Sequence, residues 1–279
     1  MNPNNKKEYL KSIFEDTYEQ CKKPPLKDAV ESTIDRTIIY NNPEWLFNKM
    51  KDGRKRYKTT HVSITKFRSM ESAMYYKRKN PDMRVGLLNF ASATHPGGGV
   101  RNGSNAQEES LCRCSTLFPC LDTRFLNEKF YDFHKNRHDT RYTSAVIYTP
   151  DIIAFKTDDF LPSELPLKKW ATVDVLSCAA PNLKQARISD AELLALHEER
   201  AKHILSVAYL HEIDIIVLGA FGCGAFQNDP ETVATAYKNV LPFFGKKFFE
   251  ISFAIYSTPS DKRNFDIFSH VLKELAKGK

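Results

Sequence analysis

Five of the six residues in Ile213–Leu218 (IDIIVL) are apolar, so this segment has almost no polar face to turn toward water. A strand of that kind must be covered on both sides, the condition of a central strand in a largely parallel sheet. Arg84–Phe90 (RVGLLNF), Thr172–Ala179 (TVDVLSCA) and Phe248–Tyr256 read the same way, and His61–Phe67 alternates at strand spacing. Helical spacing separates these segments, over Ser69–Lys79, about 106–121, Ser189–His211 and Pro230–Leu241, and Asp261–Lys277 follows last. Alternating strands and helices imply an α/β layered domain with a mixed, largely parallel sheet. Residues 122–143 are polar, aromatic and irregular, and 146–155 reads as two extended segments broken at Pro150. Helical spacing also covers 8–22 and 26–37, and a basic run, Lys49–Lys58, follows as an exposed connector. The organisation expected is a helical extension over 1–57 and one catalytic domain over 58–279.

Composition narrows the classes. The chain has 279 residues, 42% apolar and 27% charged, which excludes disordered, collagen-like and low-complexity chains. No apolar run reaches the length of a spanning helix, and the N-terminal MNPNNKKEYLKSIFEDTYEQ lacks the apolar stretch of a secretory signal. No membrane partner is expected. Six scattered cysteines (Cys21, Cys112, Cys114, Cys120, Cys178, Cys223) read as reduced thiols of an intracellular protein. The net charge of +7 is mild for this length and fits nucleic acid, a phosphorylated ligand or no particular partner.

Two glycine loops stand where ligands bind in open α/β sheets, after a strand and before a helix. The first runs from Asn89 through Gly97-Gly98-Gly99-Val100 to Gln107-Glu108-Glu109; the second is Gly219-Ala-Phe-Gly-Cys-Gly-Ala-Phe-Gln-Asn-Asp-Pro230. Glycine loops can turn successive N–H groups toward an anion. Either loop alone reads equally well as a tight turn, but two on adjacent strand ends would cradle a diphosphate. Neither is a Walker A loop, and the second has GxxGxG rather than GxGxxG spacing. Asp229 suits an N-cap and Pro230 a first helical position. Gln107-Glu108-Glu109 falls in a first helical turn, and Ser104 with Gln107 fits a capping box. Adjacent helical residues point about 100° apart, so the two carboxylates serve different tasks. One can hold a sugar hydroxyl while the other faces a scissile bond, and enclosure with a neighbouring charge would raise one pKa.

Gly97-Gly98-Gly99, seven residues, then Gln107-Glu108-Glu109 resembles the GGG-X6–8-QEE signature of poly(ADP-ribose) glycohydrolases. LNFASATHPGGGV, AQEESLCRCSTLFPCL, VIYTPDIIAF, LSCAAPN and GAFGCGAFQNDP resemble the microbial-type branch, in its order, over about 60–260. The resemblance implies a macrodomain-like three-layer α/β/α fold binding ADP-ribose at the strand ends, with no metal and no cofactor. It implies that Glu109 is the catalytic acid and Glu108 the group positioning the distal ribose, with Gln107 near the ligand. It places Gly97, Gly98, Gly99 and Val100 against the diphosphate and distal ribose. Gly222, Cys223, Gly224, Ala225 and Phe226 become the second diphosphate loop, and Asn89 stands near the sugar; read by itself, Cys223 serves there either for its backbone N–H or as a small buried thiol. The reaction implied is hydrolysis of ribose–ribose O-glycosidic bonds in poly(ADP-ribose), releasing ADP-ribose and reversing ADP-ribosylation, as in a DNA damage response.

Three other readings stay open at this level: a hydrolase of mono-ADP-ribose on protein or nucleic acid, a non-catalytic ADP-ribose-binding macrodomain, and a nucleic-acid binder using Lys49–Lys58. Direct nucleic-acid binding is not expected, because a solvated connector explains that run, although it could also steer a polyanionic substrate. Cys112, Cys114, Cys120, His134 and His138 lack zinc-knuckle spacing. His197, His203 and His211 are expected on a helix surface, and Trp45 and Trp170 in a core or interface.

Overall fold

Leu87 and Leu88 are both buried, yet they belong to different hydrophobic layers. Successive strand residues point to opposite faces, so the sheet that holds them is covered on both sides. In the computed structural model, which describes residues 3–276, seven strands form this sheet among the described residues. They are β1 (Ile38–Tyr40), β2 (His61–Thr65), β3 (Val85–Phe90), β4 (Val146–Ala154), β5 (Ala171–Cys178), β6 (Ile215–Leu218) and β7 (Glu250–Ala254). Their order is β1-β4-β5-β3-β6-β7-β2. From β5 to β2 every pairing is parallel, whereas β4 runs antiparallel to β5 and to β1. The expected mixed, largely parallel sheet is therefore present.

The helices are α1 (Pro3–Cys21), α2 (Leu26–Asp35), α3 (Pro43–Met50), α4 (Ser69–Lys79), α5 (Gln107–Cys114), α6 (Leu117–Leu121), α7 (Arg124–Leu126), α8 (Asp132–Arg137), α9 (Asp190–Leu210), α10 (Pro230–Val240), α11 (Arg263–Val271) and α12 (Lys273–Ala276). Residue 277, the last of the expected final helix, lies outside the described residues. Phe14, Val30, Met70, Leu111 and Phe118 pack with Leu87 and Val217 on one face. Leu46, Ile204, Val233 and Phe268 pack with Leu88 and Ile216 on the other. The first 57 residues reach both layers: Phe14 of α1 meets Phe118 edge-on at 4.8 Å, and Leu46 of α3 lies in the opposite layer.

Several expectations need correction. The stretch 122–143 is mostly helical: α7, a π-helical turn over Asn127–Tyr131, and α8. Its pieces are too short for apolar periodicity to register, and they fold because Leu126, Phe130 and Tyr131 are buried in the core. The helix expected over 106–121 is interrupted at Ser115, whose backbone is extended and whose hydroxyl donates to Leu111 O at 2.7 Å. The segment 146–155 is one strand, not two. Pro150 sits at a register shift between Thr149 and Ile152, where a residue without an N–H is tolerated. His197 and His203 are buried rather than on a surface, held by Asn228 Oδ1 at 2.8 Å and Ser144 O at 2.6 Å. Trp45 is 58% exposed. No helix among the described residues is long and apolar enough to cross a membrane.

Candidate active site

β3 and β6 are hydrogen-bonded neighbours running in the same direction. The two glycine loops therefore leave the same sheet edge side by side. The second leads into α10, where Asp229 accepts from Thr232 N–H at 3.0 Å and Pro230 opens the helix, as its sequence indicates.

Gln107, Glu108 and Glu109 are the first three residues of α5. The expected Ser104 cap is replaced by a different arrangement: Ala106 precedes the helix, and Glu109 Oε2 accepts its N–H at 2.9 Å. Glu109 Oε1 accepts the Gly99 N–H, also at 2.9 Å. Glu108 turns the other way, as the 100° step requires. Its Oε2 accepts from Ser92 N–H at 2.7 Å and its Oε1 from Asn89 Nδ2 at 3.2 Å. Asn89 is fully buried and also donates to Ser177 Oγ at 3.0 Å, so it stands behind Glu108. Gln107 spends its amide on the protein: Oε1 accepts from Phe90 N–H at 2.9 Å, and Nε2 donates to Leu88 O at 2.8 Å and Ser69 Oγ at 3.0 Å. It ties the end of β3 to the starts of α4 and α5.

Both glutamates are buried, at 3% and 7% exposure. The carboxyl lifted by its surroundings is Glu108, raised to about 8, mainly by burial and in smaller part by the charge of Glu109; hydrogen bonds from Ser92, Asn89 and Gly97 oppose the rise. The consequence for stability has a definite sign. An unfolded glutamate titrates near 4.5 and the folded one near 8, so between those values the native state holds the extra proton and rising pH removes stability. Melting temperature should fall between about pH 5 and pH 8.5 by a few degrees more in the wild type than in Glu108→Gln. Thermal melts of the ligand-free proteins across that range check this; parallel curves would contradict it.

The first glycine loop does not present a free anion cradle. Gly98 N–H donates to His95 O at 3.0 Å, Val100 N–H to Gly97 O at 3.2 Å, and the Gly99 N–H serves Glu109. Val100 is fully buried in a core layer instead of facing ligand. Gly98 has φ +60°, and a Cβ there would lie 2.6 Å from Glu109 Oε1 and 3.1 Å from Glu108 Oε2. This loop is a clamp for the two carboxylates.

The second loop differs. Cys223 does not offer its N–H, which donates to Ala220 O at 3.1 Å to close a turn. The next three N–H groups, of Gly224, Ala225 and Phe226, make no hydrogen bond among the described residues. Successive free donors in a turn form an anion-binding concavity. Gly222, at φ +80°, makes the turn possible; a Cβ there would sit 2.6 Å from Ala180 Cβ.

A cavity of about 550 Å³ opens at this edge, walled by Ala220, Gly222, Gly224, Ala225 and Phe226 of the second loop and by Phe90, Ala106 and Gln107. That volume lies in the usual range of small-molecule sites. The two glutamates are not among its walls; they stand on the same turn as Gln107, toward the glycine triplet. Sequence reasoning missed the opposite wall, which includes Arg68, Asp158, Phe160 and Tyr256. Arg68 lies 4.4 Å from the Tyr256 ring centroid and 4.0 Å from Asp158. Asp158 is buried, accepts from Met70 N–H at 2.9 Å and Ser110 Oγ at 2.8 Å, and is raised by burial. Tyr256 follows the end of β7, so the strand-end rule could have found it; Asp158 and Phe160 carry no such signal.

Residues 7–157 match the family model of the microbial-type PARG catalytic domain. Among solved structures, the chain is similar to the poly(ADP-ribose) glycohydrolase of Thermomonospora curvata bound to the inhibitor ADP-HPD, at 29% identity and TM-score 0.82, covering 94% of this chain and 98% of that one. It is also similar to the Deinococcus radiodurans enzyme in complex with ADP-ribose, at 30% identity and TM-score 0.79, covering 88% and 98%. No curated protein matches.

Proposed function

Because the chain belongs to the microbial-type PARG catalytic-domain family, we propose that it hydrolyses the ribose–ribose O-glycosidic bond of poly(ADP-ribose) and releases ADP-ribose. The observation that carries this reading is the pair of buried glutamates fixed on one turn beside a nucleotide-sized cavity with three free N–H donors. The pyrophosphate sits on the N–H groups of Gly224, Ala225 and Phe226, the Phe226 ring packs on the distal ribose, and the adenine lies toward Tyr256. Glu108 accepts hydroxyls of the distal ribose.

Glu109 then has the anomeric carbon before it. In protonated form it gives its proton to the leaving ribose oxygen as the C1–O bond breaks, through an oxocarbenium-like transition state. The resulting carboxylate takes a proton from the water that attacks C1, which restores the acid. The clamp of Gly99 and Ala106 N–H groups leaves Glu109 little freedom to turn away, and placement of that kind accounts for much of a rate. The six cysteines are free thiols, five of them buried, which supports an intracellular setting. Release of free ADP-ribose from poly(ADP-ribose), compared with release from mono-ADP-ribosylated protein, tests the substrate class. Turnover of the polymer is expected, and its absence would contradict the reading.

A further inference from the structure

Six of the ten residues from Lys49 to Lys58 are basic, against one acid, Asp52. The segment is pinned rather than loose. Arg56 donates to the carbonyls of Ile213 and Glu212, each at 2.9 Å, and pairs with Asp214. The N–H groups of Arg56 and Tyr57 both donate to Lys246 O, at 2.8 and 2.9 Å. Tyr209 Oη donates to Arg54 O at 2.8 Å, and the buried Lys247 ammonium caps Met50 O at 2.7 Å together with Lys51 O.

The side chains of Lys49, Lys51, Arg54, Lys55 and Lys58 stay exposed, with Lys246 beside them, and none forms an ion pair among the described residues. Trp45, 58% exposed on α3, has the Lys49 ammonium 5.0 Å from its ring centroid. Holding like charges together on a fixed backbone is repulsive, and an anionic partner relieves it. Cations with exposed aromatic rings are the means by which proteins hold single-stranded nucleotide polymers.

The sheet polarity fixes where this surface lies. It adjoins Asp214 and Lys246, just before β6 and β7 begin, whereas the cavity is walled by residues just after those strands end. The two are separated by the length of a strand, roughly 15 Å at about 3.3 Å per residue. These cations lie too far away to contact a nucleotide in the cavity, so any direct contact they make with a polyanion is at a distinct site.

We infer that this edge is a second, non-catalytic binding surface for poly(ADP-ribose), its cations meeting pyrophosphates and Trp45 stacking on an adenine. This rests on the glycohydrolase reading and extends it. A chain long enough to reach both edges is retained while its end is cleaved, by effective concentration.

The test compares the wild type with Lys49→Glu/Lys55→Glu/Lys58→Glu and with Trp45→Ala, on short oligomers and on long chains. Both variants are expected to cleave short oligomers at the wild-type rate, which also reports an intact fold. On long chains the triple variant should lose about tenfold or more in affinity at low salt, and its salt slope should fall by about 2, as expected for three lost phosphate contacts. Equal affinity of wild type and triple variant for long chains overturns the inference. So does competition by single-stranded DNA as effective as that of unlabelled polymer, which would make the surface a nucleic-acid site. Should no substrate be cleaved at all, the glycohydrolase reading fails separately, and retention of long polymer still decides the surface.

Discussion

Glu109→Gln is expected to lower ADP-ribose release by about 10²–10⁴-fold, the usual worth of a general acid, which is about 3–5 kcal/mol of transition-state stabilisation at about 1.36 kcal/mol per tenfold. Glutamine cannot deliver the proton. It also sets an amide NH₂ against one of the two backbone donors, Gly99 or Ala106, so a modest loss of melting temperature should accompany the change. The informative comparison is with Glu108→Gln. Its side chain holds a position through Ser92 and Asn89, so the substitution should raise KM more than it lowers kcat. Glu108 is also the carboxyl that burial raises to about 8, a reservoir of protons at neutral pH. If Glu108→Gln abolished turnover and Glu109→Gln kept it, the acid role would pass to Glu108.

Gly98→Ala should be nearly as damaging without removing any functional group. At φ +60° a Cβ costs about 1–2 kcal/mol. It also lands 2.6 Å from Glu109 Oε1, far inside contact distance, and next to Glu108 Oε2. One or both carboxylates must move, and a displacement of about 1 Å near reacting atoms can cost about 10²-fold. The measured kcat/KM should fall by about that factor while circular dichroism stays native. Gly224→Ala is the matched control for folding, since a Cβ there meets nothing within 4 Å; its melting temperature should stay at the wild-type value. A Gly98→Ala enzyme with full activity would show that the clamp does not hold the glutamates in their working positions.

The sequence was legible where long elements carried the signal. IDIIVL announced a strand covered on both faces, and Ile216 and Val217 indeed lie in opposite layers. The neighbouring strand-end loops and the first-turn placement of Gln107, Glu108 and Glu109 were likewise readable from spacing. Short elements were not. β1 spans three residues and is defined by its pairing with β4, and α7 and α8 are short pieces anchored by buried Leu126 and His134, with Phe130 and Tyr131 of the π-helical turn buried between them. The direction of individual N–H groups was also beyond the sequence. Both glycine loops read as phosphate cradles, yet the first directs donors inward to the glutamates and only the second leaves consecutive donors free. The far wall of the cavity combines Arg68, Asp158 and Tyr256 from three separated segments, and no local pattern links them.

A crystal structure of Glu109→Gln with ADP-ribose puts the whole arrangement to its most direct test. The anomeric carbon is expected within about 3–3.5 Å of the residue 109 side chain, the separation of a near-attack arrangement, with the pyrophosphate on the N–H groups of Gly224, Ala225 and Phe226. A ribose C1 lying away from residue 109, or a pyrophosphate held at Arg68 with those three N–H groups still free, would contradict it.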